Sequence, residues 1–310
     1  MPDIRWYSEL NPDHRAELIE LLRAVRARDG RPEPGPDGGL PENLVHGSHV
    51  LARSGDALVG YAHLDRGGDS FGREIVELFV HPDHRGRGYG GALAAAVTER
   101  AERALRFWSH GDHPAAARIA RRAGLRRVRE LLRMRTELDG QWLGEPELPD
   151  GVRLRTFVPG QDEAAVIEVN GRAFSWHPEQ GSLSEQELVE TERQDWFDPD
   201  GFFLAVDGDG TLLGFHWTKV HPPDPQAEAG SPHARAAGEV YVVGVDPSAH
   251  GRGLGTALTL AGLHYLAGSG LDQAILYVEG DNPAAIAVYT GLGFRTETTD
   301  VQYELAGRNS

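Results

Sequence analysis

"GEVYVVGVDPSAHGRGLGTAL", residues 238–258, carries a β-rich run (240–245) into Asp246-Pro247, then a loop with Gly251, Gly253 and Gly255, then a helical stretch. The order has a physical reading. The first amides of a helix have no intrahelical partner, and they sit at the positive end of the helix dipole. Glycines in front of them permit positive φ and let a phosphate approach the backbone. Strand, glycine loop and helix together therefore make an anion cradle. The cradle is not a Walker loop, because no Gly-Lys-Ser/Thr follows. Its G-R-G-x-G spacing also departs from the G-x-G-x-x-G dinucleotide fingerprint.

A weaker copy lies earlier, "REIVELFVHPDHRGRGYGGAL", residues 73–93. The two copies align without gaps. Arg85-Gly86-Arg87-Gly88-Tyr89-Gly90 lies over His250-Gly251-Arg252-Gly253-Leu254-Gly255, Glu74 over Glu239, and Val80 over Val245. Around each copy the same order of elements recurs. The first half reads as an opening strand "IRWYSEL", a helix from Pro12 to about Arg28, and a hairpin turning at Ser54-Gly55-Asp56. The strand 75–80, the loop, and an alanine-rich helix from Gly91 to about Arg106 follow. The second half reads as "VRLRTFVPG", a helix over 162–174, a helical stretch "SEQELVETERQDWF", and a hairpin turning at Asp207-Gly208-Asp209-Gly210. Downstream, "FWSHGDHPAAARIARRAGL" (107–125) lies over "LYVEGDNPAAIAVYTGLGF" (276–294), with Ala120 facing Tyr289 and His113 facing Asn282. The second half has kept polar groups that the first has lost. These signals predict domains at 1–140 and 152–307, with the Gly-, Pro- and acid-rich residues 141–151 as linker.

Composition narrows the chemistry. The chain has 310 residues, enough for two ordinary domains. Acidic residues outnumber basic ones 47 to 31, a net charge of −16 that repels polyanions, so nucleic acid is not an expected partner. There is no cysteine, which excludes a thiol nucleophile, a disulfide framework and a cysteine-ligated metal; no metal is expected. No 18-residue apolar run occurs, and "MPDIRWYSELNPDHR" lacks a basic-then-apolar leader, so the expectation is a soluble cytoplasmic protein with no membrane partner. A monomer is expected as well, although nothing in the residues shows the oligomeric state. Nearly every basic residue is arginine; Lys219 is the only lysine, and such a residue is a candidate for work arginine cannot do.

With both copies in view, the chain resembles the GNAT superfamily of N-acyltransferases. The resemblance rests on "VYVVGVDPSAHGRGLGTAL" with "NPAAIAVYTGLGF", and it covers both halves. Arg85 fits the superfamily's R/Q-x-x-G-x-G/A loop; His250 departs from it at a position where backbone matters more than side chain. "HPEQG" (177–181), "WFDPDG" (196–201), "GFHWTKVHP" (214–222) and "LYVEGDN" (276–282) narrow it to a tandem-GNAT branch of actinobacteria. The resemblance implies an α/β fold with a mixed sheet, as two tandem acyl-CoA domains of which the second is catalytic. It also implies acetyl-CoA as co-substrate. The implied acceptor is the cysteinyl amine of 1D-myo-inositol 2-(L-cysteinylamino)-2-deoxy-α-D-glucopyranoside (Cys-GlcN-Ins).

The same resemblance assigns residues. Glu239 becomes the base that takes the amine proton, and Tyr289 the acid that protonates the leaving thiolate. Glu42, Glu179, Lys219, Glu239 and Tyr277 become acceptor contacts. In the second half Val243, Gly244, Val245, His250, Gly251, Arg252, Gly253, Leu254, Gly255, Thr256, Asn282, Pro283, Ala284, Ala285, Ile286 and Ala287 become acetyl-CoA contacts. In the first half the corresponding contacts are Leu78, Phe79, Val80, Arg85, Gly86, Arg87, Gly88, Tyr89, Gly90 and Gly91. A strand bulge that offers an oxyanion donor is expected within residues 243–245, where Gly244 tolerates one. Two alternatives stay open: transfer to another primary amine, such as a protein N-terminus or an antibiotic, and a non-catalytic acyl-CoA sensor.

Overall fold

A computed structural model describes residues 2–305 apart from 33, 36–37, 70, 139–143, 176–179 and 224–234. The chain divides into two compact units, residues 1–131 with 298–310, and residues 132–297. The expected boundaries, 1–140 and 152–307, follow the chain; the units do not, because residues 298–310 belong to the first unit and 132–140 to the second.

In the first unit β1 (Asp3–Tyr7) leads to α1 (Pro12–Asp29), the hairpin β2 (Ser48–Ser54) and β3 (Ala57–Asp65), then β4 (Glu74–Val80), α2 (Tyr89–Glu99), β5 (Leu105–Ser109) and α3 (Pro114–Ala123). Helix α1 starts where Asn11 accepts the His14 amide and Pro12 fills the first turn, and it stops at Gly30 with φ +77°. Its buried face, Leu18, Leu21, Leu22 and Val25, has the spacing of one helical stripe. Helix α2 ends at Glu99 rather than near Arg106, because Leu105–Ser109 pairs in parallel with β4. Strand β6 (Arg126–Glu137) starts in this unit and ends in the next.

The second unit holds β7 (Arg153–Thr156), α4 (Glu163–Ala173), α5 (Glu185–Thr191), β8 (Phe202–Val206), β9 (Leu212–His221), β10 (Ala237–Val245), α6 (Leu254–Gly268), β11 (Gln273–Glu279) and α7 (Pro283–Gly291). The last strand, β12 (Arg295–Leu305), starts here and finishes antiparallel to β5. The sheet of the first unit therefore runs β1-β2-β3-β4-β5-β12, and that of the second β6-β11-β10-β9-β8-β7. Each sheet is completed by the strand that ends the other repeat's sequence.

Both sheets are mixed. β10 pairs antiparallel with β9 along its length but parallel with β11 only from Gly238↔Ala274 to Val240↔Leu276. β4 likewise pairs with β5 only from Glu74↔Leu105 to Val76↔Phe107. Beyond those residues each strand pair parts, and among the described residues that side of β4 and β10 has no strand partner.

The bulge in β10 is not at Gly244. Register runs unbroken from Val242↔Trp217 to Val245↔Gly214, and the extra residue falls between Val240 and Val242, at Tyr241. Gly244 is glycine for packing: a Cβ there would lie 2.7 Å from Phe215 Cε1. The core of this unit includes Phe202, Leu204, Phe215 and Trp217 on one side, and Leu263, Leu266, Ala274 and Leu276 on the other.

Candidate active site

The glycine loop comes first. After β10 comes Asp246, whose carboxylate accepts the Ser248 amide (2.9 Å), the Ser248 hydroxyl (2.6 Å) and Arg172 Nε (2.6 Å). Those bonds, Ser248 foremost, hold Asp246 down to about 2. The turn so fixed delivers Gly251 at φ +74° and Gly253 at φ +80°, where glycine is the residue without strain. A Cβ at either would meet nothing within 4 Å, so the space before the loop is open. Gly253 is the N-cap of α6 and offers no side-chain acceptor; the first intrahelical bond is Ala257 N to Gly253 O. The amides of Leu254, Gly255 and Thr256 therefore face outward unpaired within the helix, as an anion site requires.

The departure at His250 now has an explanation. His250 Nε2 lies 3.0 Å from Val245 O, and Arg85 Nε donates to Val80 O at 3.2 Å. Either side chain ties the loop to the last carbonyl of its strand. The Asn282/His113 difference resolves the same way: Asn282 Oδ1 accepts the Ala285 amide and His113 Nδ1 the Ala115 amide, each at 3.1 Å. Both are helix caps.

The first unit repeats the cradle, with Gly86 at φ +76° and Gly88 at φ +91°. Leu78, Phe79, Val80, Arg85, Gly86, Gly88, Tyr89, Gly90 and Gly91 line a cavity of about 650 Å³; Arg87 does not. The same cavity holds His110, between Glu77 (3.1 Å to Nε2) and Asp300 (3.1 Å to Nδ1). Burial alone would lower His110, but the Glu77 charge and the bonds to both carboxylates push it up to about 10. This trio joins residues 190 positions apart and left no signal in the sequence.

The paired carboxylates behave differently. Glu74 is fully buried and accepts from Arg66 Nη1 (2.8 Å) and from the amides of Glu102 (3.1 Å) and Arg103 (3.3 Å). Glu239 is 7% exposed and bonds His221 Nε2 at 2.5 Å; among the described residues no other side chain hydrogen-bonds it. The register explains the meeting: Glu239 lies opposite Lys219, and His221 opposite Ala237, so all three side chains share one face of β9 and β10. Tyr241, the bulge residue, adds its ring to this face. Lys219 Nζ rests 4.3 Å from the Trp196 ring centre and 5.2 Å from that of Tyr241, a cation held over two aromatic faces. Burial, and then the charge of Glu239, raise the Tyr241 hydroxyl above its ordinary value.

The remaining expected residues lie as follows. Tyr289 is half-buried on α7 with its ring edge-on to Phe294, and burial pushes its hydroxyl up to about 12. Its first-half counterpart Ala120 is buried in the core. Tyr277 is exposed on β11, one residue past the last pairing with β10. Glu42 opens a short 3-10 turn in the first unit and is exposed. Glu179 lies outside the described residues. His221, Trp196 and Tyr241 lie in segments that carry the family resemblance, but no sequence signal marks them individually. No helix among the described residues is long and apolar enough to cross a membrane.

The sequence model of the acetyltransferase (GNAT) family matches twice, over residues 6–125 and 170–294. A mycothiol acetyltransferase of Saccharomonospora viridis is 58% identical over 98% of this chain and 99% of its own. One of Amycolatopsis mediterranei is 56% identical over 97% and 98%. Among solved structures, a GCN5-related N-acetyltransferase from Sphaerobacter thermophilus superposes with TM-score 0.71 at 25% identity, over 97% of this chain and 95% of that one. A tandem GNAT protein from the clavulanic acid biosynthesis pathway gives TM-score 0.66 at 22% identity, over 99% and 100%, and so speaks to the fold alone. The chain belongs to the acetyltransferase (GNAT) family, as a tandem, acetyl-CoA-dependent member grouped with the mycothiol acetyltransferases.

Proposed function

We propose that this chain makes mycothiol, by moving acetyl from acetyl-CoA to the cysteinyl amine of Cys-GlcN-Ins. The observation that carries the acceptor is the likeness to mycothiol acetyltransferases along nearly the whole chain. The reading has it working as a cytoplasmic monomer on two small molecules, with neither nucleic acid nor membrane involved and no metal required.

Acetyl-CoA supplies the acetyl group as a thioester. The outward amides of Leu254, Gly255 and Thr256 receive its pyrophosphate. The acceptor amine attacks in its neutral form, and an α-amino group has a pKa of about 7.7–8.0, so removing its proton needs modest help. Glu239 takes that proton, directly or through a water, and its burial beside one imidazole supports the role. Lys219, Glu179 and Tyr277 hold the hydroxyl-rich acceptor. As the new C–N bond forms and the C–S bond breaks, Tyr289 gives its proton to a thiolate whose pKa is about 8.5. A phenol pushed up to about 12 stays protonated until that moment. The first unit, with Ala120 in place of the tyrosine and Glu74 fully bonded, binds acetyl-CoA without turning it over.

The test is incubation with acetyl-CoA and Cys-GlcN-Ins, followed by mass spectrometry. One added acetyl on the cysteinyl nitrogen is the expected product. No acetylation of this acceptor, with another primary amine acetylated instead, overturns the reading.

A further inference from the structure

We propose that His221 is a positioning residue for Glu239: its Nε2–H holds the carboxylate by one oxygen and leaves the other for the acceptor amine. The inference rests on Glu239 acting as the base.

Three observations carry it. Glu239 is buried, and a buried polar group needs a hydrogen-bond partner. His221 Nε2, 2.5 Å from Oε2, is the side-chain donor that the described residues provide. The number of donors also matters. Glu74, at the corresponding place in the first unit, accepts three N–H groups. A carboxylate so surrounded has its oxygens committed to structural donors. Glu239, with one side-chain donor among the described residues, is fixed in direction yet keeps lone pairs that can accept a proton.

The sequence and the sheet hold His221 where this needs it. His221 is the last residue of β9, and Pro222 follows, which biases the residue before it to extended backbone. Register places it diagonal to Glu239 on the same face, within reach of a long side chain. The imidazole is part-exposed while its carboxylate partner is not, so the ring bridges solvent and the buried oxygen.

The experiment compares His221→Phe, which keeps a flat ring without the donor, with His221→Gln, whose side-chain amide brings an N–H to the same reach. Both are assayed on the full chain with acetyl-CoA and Cys-GlcN-Ins, beside Glu239→Gln. His221→Phe is expected to lower kcat by about tenfold or more with KM for acetyl-CoA unmoved, the scale of a disturbed general base. His221→Gln is expected to recover to within about threefold of the parent. Equal loss in both His221 variants overturns the proposal, because shape and not the N–H would then matter. A His221→Phe rate equal to the parent's overturns it too, and leaves the base intact if Glu239→Gln is slow. A Glu239→Gln rate equal to the parent's removes the base and the positioning residue together.

Discussion

The two units share a strand order, a hairpin, a glycine cradle and a glutamate at the same strand position, yet they use that glutamate differently. Glu74 is buried under Arg66 and two backbone amides; Glu239 is buried beside one histidine on a face that also holds Lys219 and Tyr241. In the first unit the carboxylate completes the end of a strand. In the second it lies on the face shared with His221 and Lys219. The place of a residue in a fold does not make it catalytic: what else bonds its side chain decides. The cradle shows the converse, because it works through backbone. His250 can stand where Arg85 stands, and each ties its loop to the preceding strand's last carbonyl.

The largest expected effect comes from filling the cradles one at a time. Gly253→Glu puts a side chain and a negative charge into the open space before α6, at a φ of +80° that strains any side chain. It is expected to abolish turnover. Gly88→Glu makes the same change at φ +91° in the first unit, and is expected to remove acetyl-CoA from that unit while sparing much of the turnover. Calorimetric titration with acetyl-CoA and steady-state rates on both variants, with folding followed by circular dichroism, check this. A folded Gly88→Glu chain as inactive as Gly253→Glu would erase the division of labour.

A smaller effect is expected at the lysine. Lys219→Arg keeps the charge over Trp196 and Tyr241, but a planar guanidinium lies flat on such rings where an ammonium stands as a point donor. KM for the acceptor is expected to rise several-fold with kcat little changed, roughly the 1 kcal/mol of one misplaced hydrogen bond. Kinetics indistinguishable from the parent's would leave the single lysine without a function.

The repeat, the hairpins and the cradle were legible because each is local: turn chemistry, period-two patterns and glycine spacing lie within a few residues. What was illegible depends on partners far along the chain. A strand pattern does not name the strand beside it, so nothing in the sequence assigned β12 to β5. His221 meets Glu239 across a loop and through a register that composition does not encode. The Glu77–His110–Asp300 cluster is hidden for the same reason. Two local readings also failed. The alanine-rich pattern carried the helix after Gly91 too far, and Gly244, read as the bulge, is glycine to clear Phe215, while Tyr241 forms the bulge.

The most direct test of the account sets Glu74→Gln beside Glu239→Gln, with kcat/KM measured per folded molecule and stability measured by urea unfolding. Glu239→Gln is expected to lower kcat/KM by about 10²-fold or more, the usual scale for a lost general base, with acetyl-CoA affinity and stability near the parent's. Glu74→Gln is expected to cost about 1–3 kcal/mol of stability, because buried donors lose a charged acceptor, with kcat/KM nearly unchanged. The reverse pattern, a folded and active Glu239→Gln beside an inactive Glu74→Gln, would contradict the assignment of the chemistry to the second unit.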